Sequence, residues 1–201
     1  MKDNAREFII KNLRQALVTS NKEVVPPPPM TAHTPHFRLK HDDDIVFNFV
    51  KQYMLCGGTL DYGTNNAEVA EILNKWIIAN KIDTVECGTS SLVQYIQNLG
   101  LQAKNITTFK GNSRYGIVLC ETLVAWDGSI VITSDCFEGN EKILMPENIV
   151  LVAFSSQVVR DFKTYTSQKG KESPLPKQMQ ILYPENLDHK KTQMLLIEDQ
   201  N

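Results

Sequence analysis

The sequence predicts an α/β domain: one domain with a mostly parallel sheet flanked by helices. Three observations carry that expectation. From residue 42 onward, apolar runs of strand length alternate with stretches of helical period, the pattern of strand–helix–strand crossovers. Two strand-to-helix junctions, Tyr62-Gly63-Thr64-Asn65-Asn66 and Cys87-Gly88-Thr89-Ser90-Ser91, share one grammar of glycine followed by helix-capping residues. A chain of 201 residues, 42% hydrophobic and 22% charged, is long enough for one full core and too short for two comfortable ones.

Taken in order, NAREFIIKNLRQAL sets Ala5, Ile9, Leu13 and Ala16 on one helical face, with Phe8 and Leu17 beside them. This amphipathic arm, residues 1–23, suits docking on protein, and through it the chain could form a homo-oligomer. Residues 24–41 contain four consecutive prolines, which favour an extended spacer. Residues 42–201 hold the α/β domain. Its first helix places Ile45, Phe49, Val50 and Met54 inward, with Asp42, Asp43 and Asp44 at its positive end. GGTLDYG predicts a strand, and NNAEVAEILNKWIIAN a helix burying Val69, Leu73, Trp76 and Ile77.

IDTVEC predicts the next strand, and SSLVQYIQNLG a helix stopped by Gly100. RYGIVLCETLVAW and GSIVIT read as two strands joined at Asp127-Gly128, an antiparallel hairpin added to the parallel sheet. NIVLVAF is a strand. SSQVVRDFKTYTSQK reads as a serine-capped helix with Val158, Val159, Phe162 and Tyr165 on its apolar face. MQILYP and TQMLLIED close the chain as strands.

Composition narrows the function. A net charge of −2 carries no electrostatic footprint for nucleic acid or an anionic membrane surface. No run of eighteen apolar residues calls for a membrane span, and the N-terminus lacks the apolar run and cleavage site of a secretory leader. A cytoplasmic protein is expected. Cysteines at 56, 87, 120 and 136 form no CxxC pair, so zinc ribbons and cysteine-ligated clusters lack their spacing. They read as free thiols, with Cys87 and Cys120 in apolar runs and Cys136 exposed. His33, His36 and His41 fall on the proline-rich linker, which cannot fix coordination geometry, so no metal site is expected.

Two places could carry chemistry. In open α/β sheets, ligands settle at the carboxyl ends of strands, against helix N-termini. Gly88, Thr89 and Ser90 are therefore candidates to hold a small anion. Strand alternation over LCETLVAW puts Glu121 on a face with Leu123 and Ala125. A carboxylate among apolar neighbours is costly unless it is paired or serves a ligand, which makes Glu121 the candidate acid–base or nucleophilic residue. The Asp127-Gly128 step is a hairpin signal in its own right and is chiefly structural.

The order of AREFIIKNLRQAL, GGTLDYG, VAWDGSIVIT and ILMPENIVLVAFSSQVVRDF resembles the lactate-utilisation protein C family, the single-domain members of the LUD-domain group. The resemblance covers most of the chain. It implies a fold akin to sugar-phosphate isomerases and CoA transferases. It also implies an accessory role beside iron–sulfur partner proteins that oxidise L-lactate to pyruvate, with the clusters in the partners and no cofactor in this chain. A ligand role for Asp127, Gly128 and Ser129 follows from the resemblance alone. At that turn the family has Ala-Glu-Thr-Gly-Thr, where this chain has Ala125-Trp126-Asp127-Gly128-Ser129. Near the C-terminus the family's Gly-Pro-Ser-Arg-Thr-Ala-Asp is reduced to Pro184 in LYPENLDHKKTQMLLI. Two other classes stay open: a stand-alone small-molecule enzyme of the isomerase or CoA-transferase type working through Glu121, and a non-catalytic interaction protein.

Overall fold

A computed structural model of the chain describes residues 44–110, 114–138, 143, 145–172 and 176–199. These all belong to one compact unit, Leu39–Asn201. The expectations for the arm 1–23, the linker 24–41 and the three linker histidines lie outside the described residues.

Helix α1 spans Ile45–Leu55 and begins at Asp44, whose Oδ1 accepts the N–H groups of Val46 (2.9 Å) and Phe47 (3.1 Å). A carboxylate there satisfies two orphan donors and meets the positive end of the helix. Phe49, Val50 and Tyr53 are its buried residues; Tyr53 rather than Met54 completes the face, as the i+4 position from Phe49.

Strand β1 (Leu60–Gly63), helix α2 (Asn66–Ala79), strand β2 (Thr84–Cys87), helix α3 (Ser90–Asn98) and strand β3 (Asn105–Thr108) follow. Then come β4 (Tyr115–Leu119), β5 (Thr122–Val124), β6 (Ile130–Thr133), β7 (Asn148–Phe154) and β8 (Val158–Val159). Helix α4 (Phe162–Glu172), β9 (Met179–Leu182) and β10 (Thr192–Ile197) complete the order. Six strands form one sheet in the order β1-β10-β7-β4-β2-β3, every neighbouring pair parallel. The predicted parallel α/β architecture is therefore present.

The core explains the strand sequences. β7 is buried along Ile149, Val150, Leu151, Val152 and Ala153, as a central strand covered on both faces must be. Val150, Val152, Ile117, Leu195 and Ile197 pack with Leu73, Trp76 and Ile77 of α2 and Leu92 and Ile96 of α3. Each such side chain contributes about 1.5–3 kcal/mol by leaving water. The alternate residues Leu151, Met194 and Leu196 are equally buried on the sheet's other face.

The hairpin does not extend the parallel sheet. It belongs to a second sheet, ordered β8-β5-β6-β9, in which β5–β6 and β6–β9 are antiparallel and β5–β8 parallel. The run expected as one strand over 114–126 breaks after β4. Cys120 still donates to the Val152 carbonyl of the first sheet (2.7 Å), whereas Glu121 already donates to Val131 of the second (2.9 Å). Gln157 fills the break: its Nε2 donates to the Cys120 carbonyl at 2.6 Å and the Glu121 carbonyl at 3.3 Å, and its Oε1 accepts the Phe154 N–H at 2.7 Å.

The predicted helix over 155–169 is corrected by the same device. Ser155–Gln157 forms a single 3-10 turn, and the β-branched pair Val158 and Val159 becomes β8 against β5. The helix starts only at Phe162, after Asp161, whose Oδ1 accepts the Thr164 N–H (2.7 Å) and hydroxyl (2.8 Å). Val124, Val131 and Tyr165 make a small core between α4 and the second sheet, joined by Val159, Phe162 and Met179.

Candidate functional site

Because the six strands are parallel, the segments after β1, β2, β4, β7 and β10 all emerge at one edge of the sheet. That edge collects Gly88, Thr89, Ser90, Glu121, Ser155 and Asp199.

Glu121 stands where the chain leaves the first sheet for the second. Lys169 of α4 pairs with it, Nζ to Oε1 2.6 Å, with the two side chains 21% and 17% exposed. The Thr133 hydroxyl, at the end of β6, donates to Glu121 Oε2 at 3.4 Å. The hydrogen bond to Glu121 raises the Lys169 pKa above its ordinary value. Tyr165, one turn before Lys169 on α4, is buried and its hydroxyl has no hydrogen-bond partner of ordinary geometry among the described residues. Burial first, then the charge on Glu121, holds its proton above the usual phenol range. Cys136 lies in the 3-10 turn Ser134–Cys136, its Sγ 3.7 Å from Thr133 Oγ1 and within reach of the Thr133 N–H at 3.5 Å. It is buried rather than exposed as expected, its turn held by the Ser134 N–H on the Gln178 carbonyl (3.0 Å) and the Glu138 N–H on the Gly88 carbonyl (2.8 Å); burial pushes its thiol up.

The same turn reaches the other candidate loop. Glu138 N–H donates to the Gly88 carbonyl (2.8 Å), and a Cβ on residue 88 would overlap the Cys136 carbonyl, so glycine is required there. Thr89 caps α3, its Oγ1 accepting the Leu92 N–H at 3.2 Å. Ser90 gives both its N–H (2.5 Å) and its hydroxyl to one oxygen of Glu138. Those bonds, the hydroxyl's first, hold the exposed Glu138 carboxyl below its ordinary range. The donors of the 88–90 loop thus meet a carboxylate of the chain itself, Glu138. Glu121 and the 88–90 loop are linked through one short turn: the Thr133 hydroxyl touches both Glu121 Oε2 and Cys136 Sγ, and the Cys136 carbonyl lies against Gly88.

The other end of the same edge repeats the arrangement. Asp199 Oδ2 accepts the Ser155 hydroxyl (2.8 Å) and the Ser156 N–H (2.6 Å). After β1, Glu68 accepts the Thr64 N–H and hydroxyl, both at 2.9 Å.

Asp127, Gly128 and Ser129 lie elsewhere. Asp127 Oδ1 accepts the Ser129 N–H at 3.0 Å, Ser129 is buried, and Gly128 has φ +71°. Four residues separate Val124 from Ser129, which are themselves bonded: Val124 N–H donates to the Ser129 carbonyl at 2.9 Å, and Gly128 N–H donates to the Val124 carbonyl at 3.0 Å. Glu121 is at the open end of the β5–β6 hairpin and Asp127 at its closed end, on the order of 10 Å away at strand rise. The structure brings Gly88, Thr89, Ser90 and Glu121 to one edge, and leaves the turn against Tyr53 of α1.

No family model matches the sequence, and no curated protein matches it. A solved structure does. A DUF162-family protein from Deinococcus radiodurans, determined at 1.70 Å resolution, superposes with a TM-score of 0.53 at 12% identity. The match covers 78% of this chain and 97% of that one. The likeness is one of fold. It transfers no residue's role.

Lys169, Thr133, Tyr165 and Glu138 were not legible as site residues. Tyr165 and Lys169 are four apart on α4, which marks one helical face, but nothing in the sequence says that this face meets Glu121. Among the described residues, no group of His, Cys, Asp and Glu is arranged to hold a metal ion, and no helix is long and apolar enough to cross a membrane.

Proposed function

We propose that this protein is a LUD-type accessory subunit of a cytoplasmic, iron–sulfur-dependent system that oxidises L-lactate to pyruvate, with the clusters in its partners. The observation that carries the reading is the fold match across 97% of a DUF162-family chain, a family that in practice is the LUD domain, set beside the order of motifs in the sequence. Within that role, Lys169 offers an ammonium for a small carboxylate and Glu121 a proton acceptor beside it, an arrangement suited to a compact hydroxy acid. Deletion of the gene should abolish growth on L-lactate as sole carbon source, and the tagged full-length protein should copurify with iron–sulfur proteins from lactate-grown cells. Normal growth of the deletion strain together with purification free of such proteins overturns the proposal.

A second reading is favoured by one specific observation. Glu121 is enclosed and ion-paired, separated from the 88–90 loop by a single turn. That is the geometry a stand-alone small-molecule enzyme would need, with Glu121 as base or nucleophile. If the purified protein alone turns over a small acid or thioester and Glu121→Gln abolishes that turnover, this second reading replaces the first.

A further inference from the structure

The opposite edge of the parallel sheet carries a concave site. A cleft of about 460 Å³ opens where the chain enters β1, β7 and β10, beside the C-terminal end of α2. Its apolar wall comes from Ile72 and Trp76, and the Trp76 ring is fixed edge-on against Tyr115 at 6.0 Å. The remaining wall is polar, with Thr59, Asn80 and Asn148 beside three lysines, Lys75, Lys190 and Lys191; among the described residues its carboxylate is Asp61, which already accepts a hydrogen bond from Gln193. Lys75 and Lys191 also meet Glu71 (2.6 Å) and Glu147 (3.5 Å) outside the cleft. Those carboxylates are 65% and 54% exposed, and exposed pairs hold their partners weakly. A better-placed anion in the cleft would compete for the Lys75 and Lys191 ammonium groups.

Two further features separate this cleft from an ordinary solvated surface. His189 lines it with a buried Nδ1 that has no hydrogen-bond partner among the described residues, and buried polar atoms nearly always have one. The loop that presents His189, Lys190 and Lys191 is held in shape. Asp188 accepts the N–H groups of Lys190 (Oδ1, 3.1 Å), Lys191 (carbonyl, 2.8 Å) and Thr192 (carbonyl, 2.8 Å), and the Lys191 carbonyl accepts Ile149 N–H at 2.8 Å. The carbonyl end of α2 is covered as well: Asn80 donates both its N–H (3.1 Å) and its Nδ2 (2.9 Å) to Trp76. A negative ligand therefore does not face bare helix carbonyls.

We propose that this cleft is a ligand site, distinct from the Glu121 edge, for a small phosphate monoester whose phosphate meets Lys190, Lys191 and His189 and whose organic body lies on Trp76 and Ile72. Lys75 and Lys191 are each shared with an exposed carboxylate outside the cleft, and a phosphate dianion, with two charges and three acceptor oxygens, competes for such ammonium groups better than a carboxylate monoanion does. The volume lies within the range of small-molecule sites and has room for more than the phosphate.

Isothermal titration of the full-length protein with AMP, inorganic phosphate and adenosine tests this. AMP should bind saturably, with inorganic phosphate weaker and adenosine at least tenfold weaker. The double substitution Lys190→Glu/Lys191→Glu should reduce AMP affinity at least tenfold, and His189→Ala several-fold, with unchanged circular dichroism. Should the double variant unfold, Lys190→Ala alone must still weaken AMP. Absence of saturable binding by both phosphate probes overturns the proposal. So does adenosine binding as tightly as AMP, inorganic phosphate binding as tightly as AMP, or AMP binding that the lysine and histidine substitutions leave unchanged.

Discussion

Lys169 Nζ sits 2.6 Å from Glu121 Oε1, bridging helix α4 to the point where the chain passes between sheets. A pair this enclosed behaves unlike a surface ion pair: removing one member strands the other's charge, whereas removing both need not cost stability. Lys169→Met should lower unfolding free energy by about 2 kcal/mol, and Glu121→Leu/Lys169→Met should recover at least half of that loss in urea titrations. Because Lys169 has a folded pKa above its ordinary value, its contribution is complete below about pH 10.4 and disappears as pH rises through the raised folded value. The parent and Lys169→Met should therefore differ at neutral pH and converge in strong alkali. A gap that persists unchanged there would show that the pair's charge is not its source.

Gly128 and Asp127 should respond very differently to substitution. A Cβ at residue 128 would stand 2.7 Å from the Tyr53 nitrogen and 2.8 Å from its Cα, and φ is +71°. Gly128→Val meets both a backbone clash and left-handed strain, a loss of at least about 2 kcal/mol. Asp127→Asn keeps an oxygen to accept the Ser129 N–H and should change the melting temperature little. Equal losses in the two variants would contradict the turn described above.

The four thiols should react in a definite order. Cys87, Cys120 and Cys136 are buried and Cys56 is only partly so. Burial pushes the Cys87 thiol up to about 12 and the Cys120 thiol well above its ordinary value. Burial, with Glu185 and Asp127 nearby, raises Cys56 too, so even the most accessible thiol is a slow nucleophile. Iodoacetamide at neutral pH should label Cys56 first and the other three only under denaturant; early labelling of Cys136 by peptide mapping would place its turn on the outside.

Asp199 links stability to acid. Burial opposes its charge, but hydrogen bonds from the Ser156 N–H and the Ser155 hydroxyl outweigh it, and its carboxyl is held below the usual range. A depressed folded pKa stabilises the protein above about pH 3.9, and that stabilisation is lost as pH falls through the folded value. Asp199→Asn should therefore be less stable than the parent at neutral pH, with the difference narrowing below about pH 4. A difference that widens in acid would reverse the assigned sign.

The sequence carried the parallel sheet because its strands announce themselves: NIVLVAF can be soluble only as a strand covered on both faces, and the helices beside it keep a helical period. It did not carry the division into two sheets. The run through Leu119, Cys120, Glu121 and Thr122 is uninterrupted in strand propensity, and only tertiary partners reveal that pairing passes from Val152 to Val131 within two residues. Val158 and Val159 misled for the complementary reason: helical spacing to Phe162 and Tyr165 is real, yet pairing with β5 outweighs it. At the site, Glu121 was visible as a carboxylate in apolar surroundings, while Lys169 was invisible because it lies 48 residues away in the chain. Gly88, Thr89 and Ser90 were visible as a helix start, but not the carboxylate of Glu138 that occupies it.

The place of β10 also governs how the molecule comes into being. It lies between β1 and β7 and, among the described residues, is the strand that β1 pairs with, beginning with Leu60 opposite Met194. On the ribosome β1 emerges early and waits unpartnered until nearly the whole described chain has been made, a long-range closure of the kind that slows folding. During that interval its exposed edge is open to foreign strands, so a stalled or shortened translation product would be a stronger aggregation hazard than any single-residue variant of the finished fold.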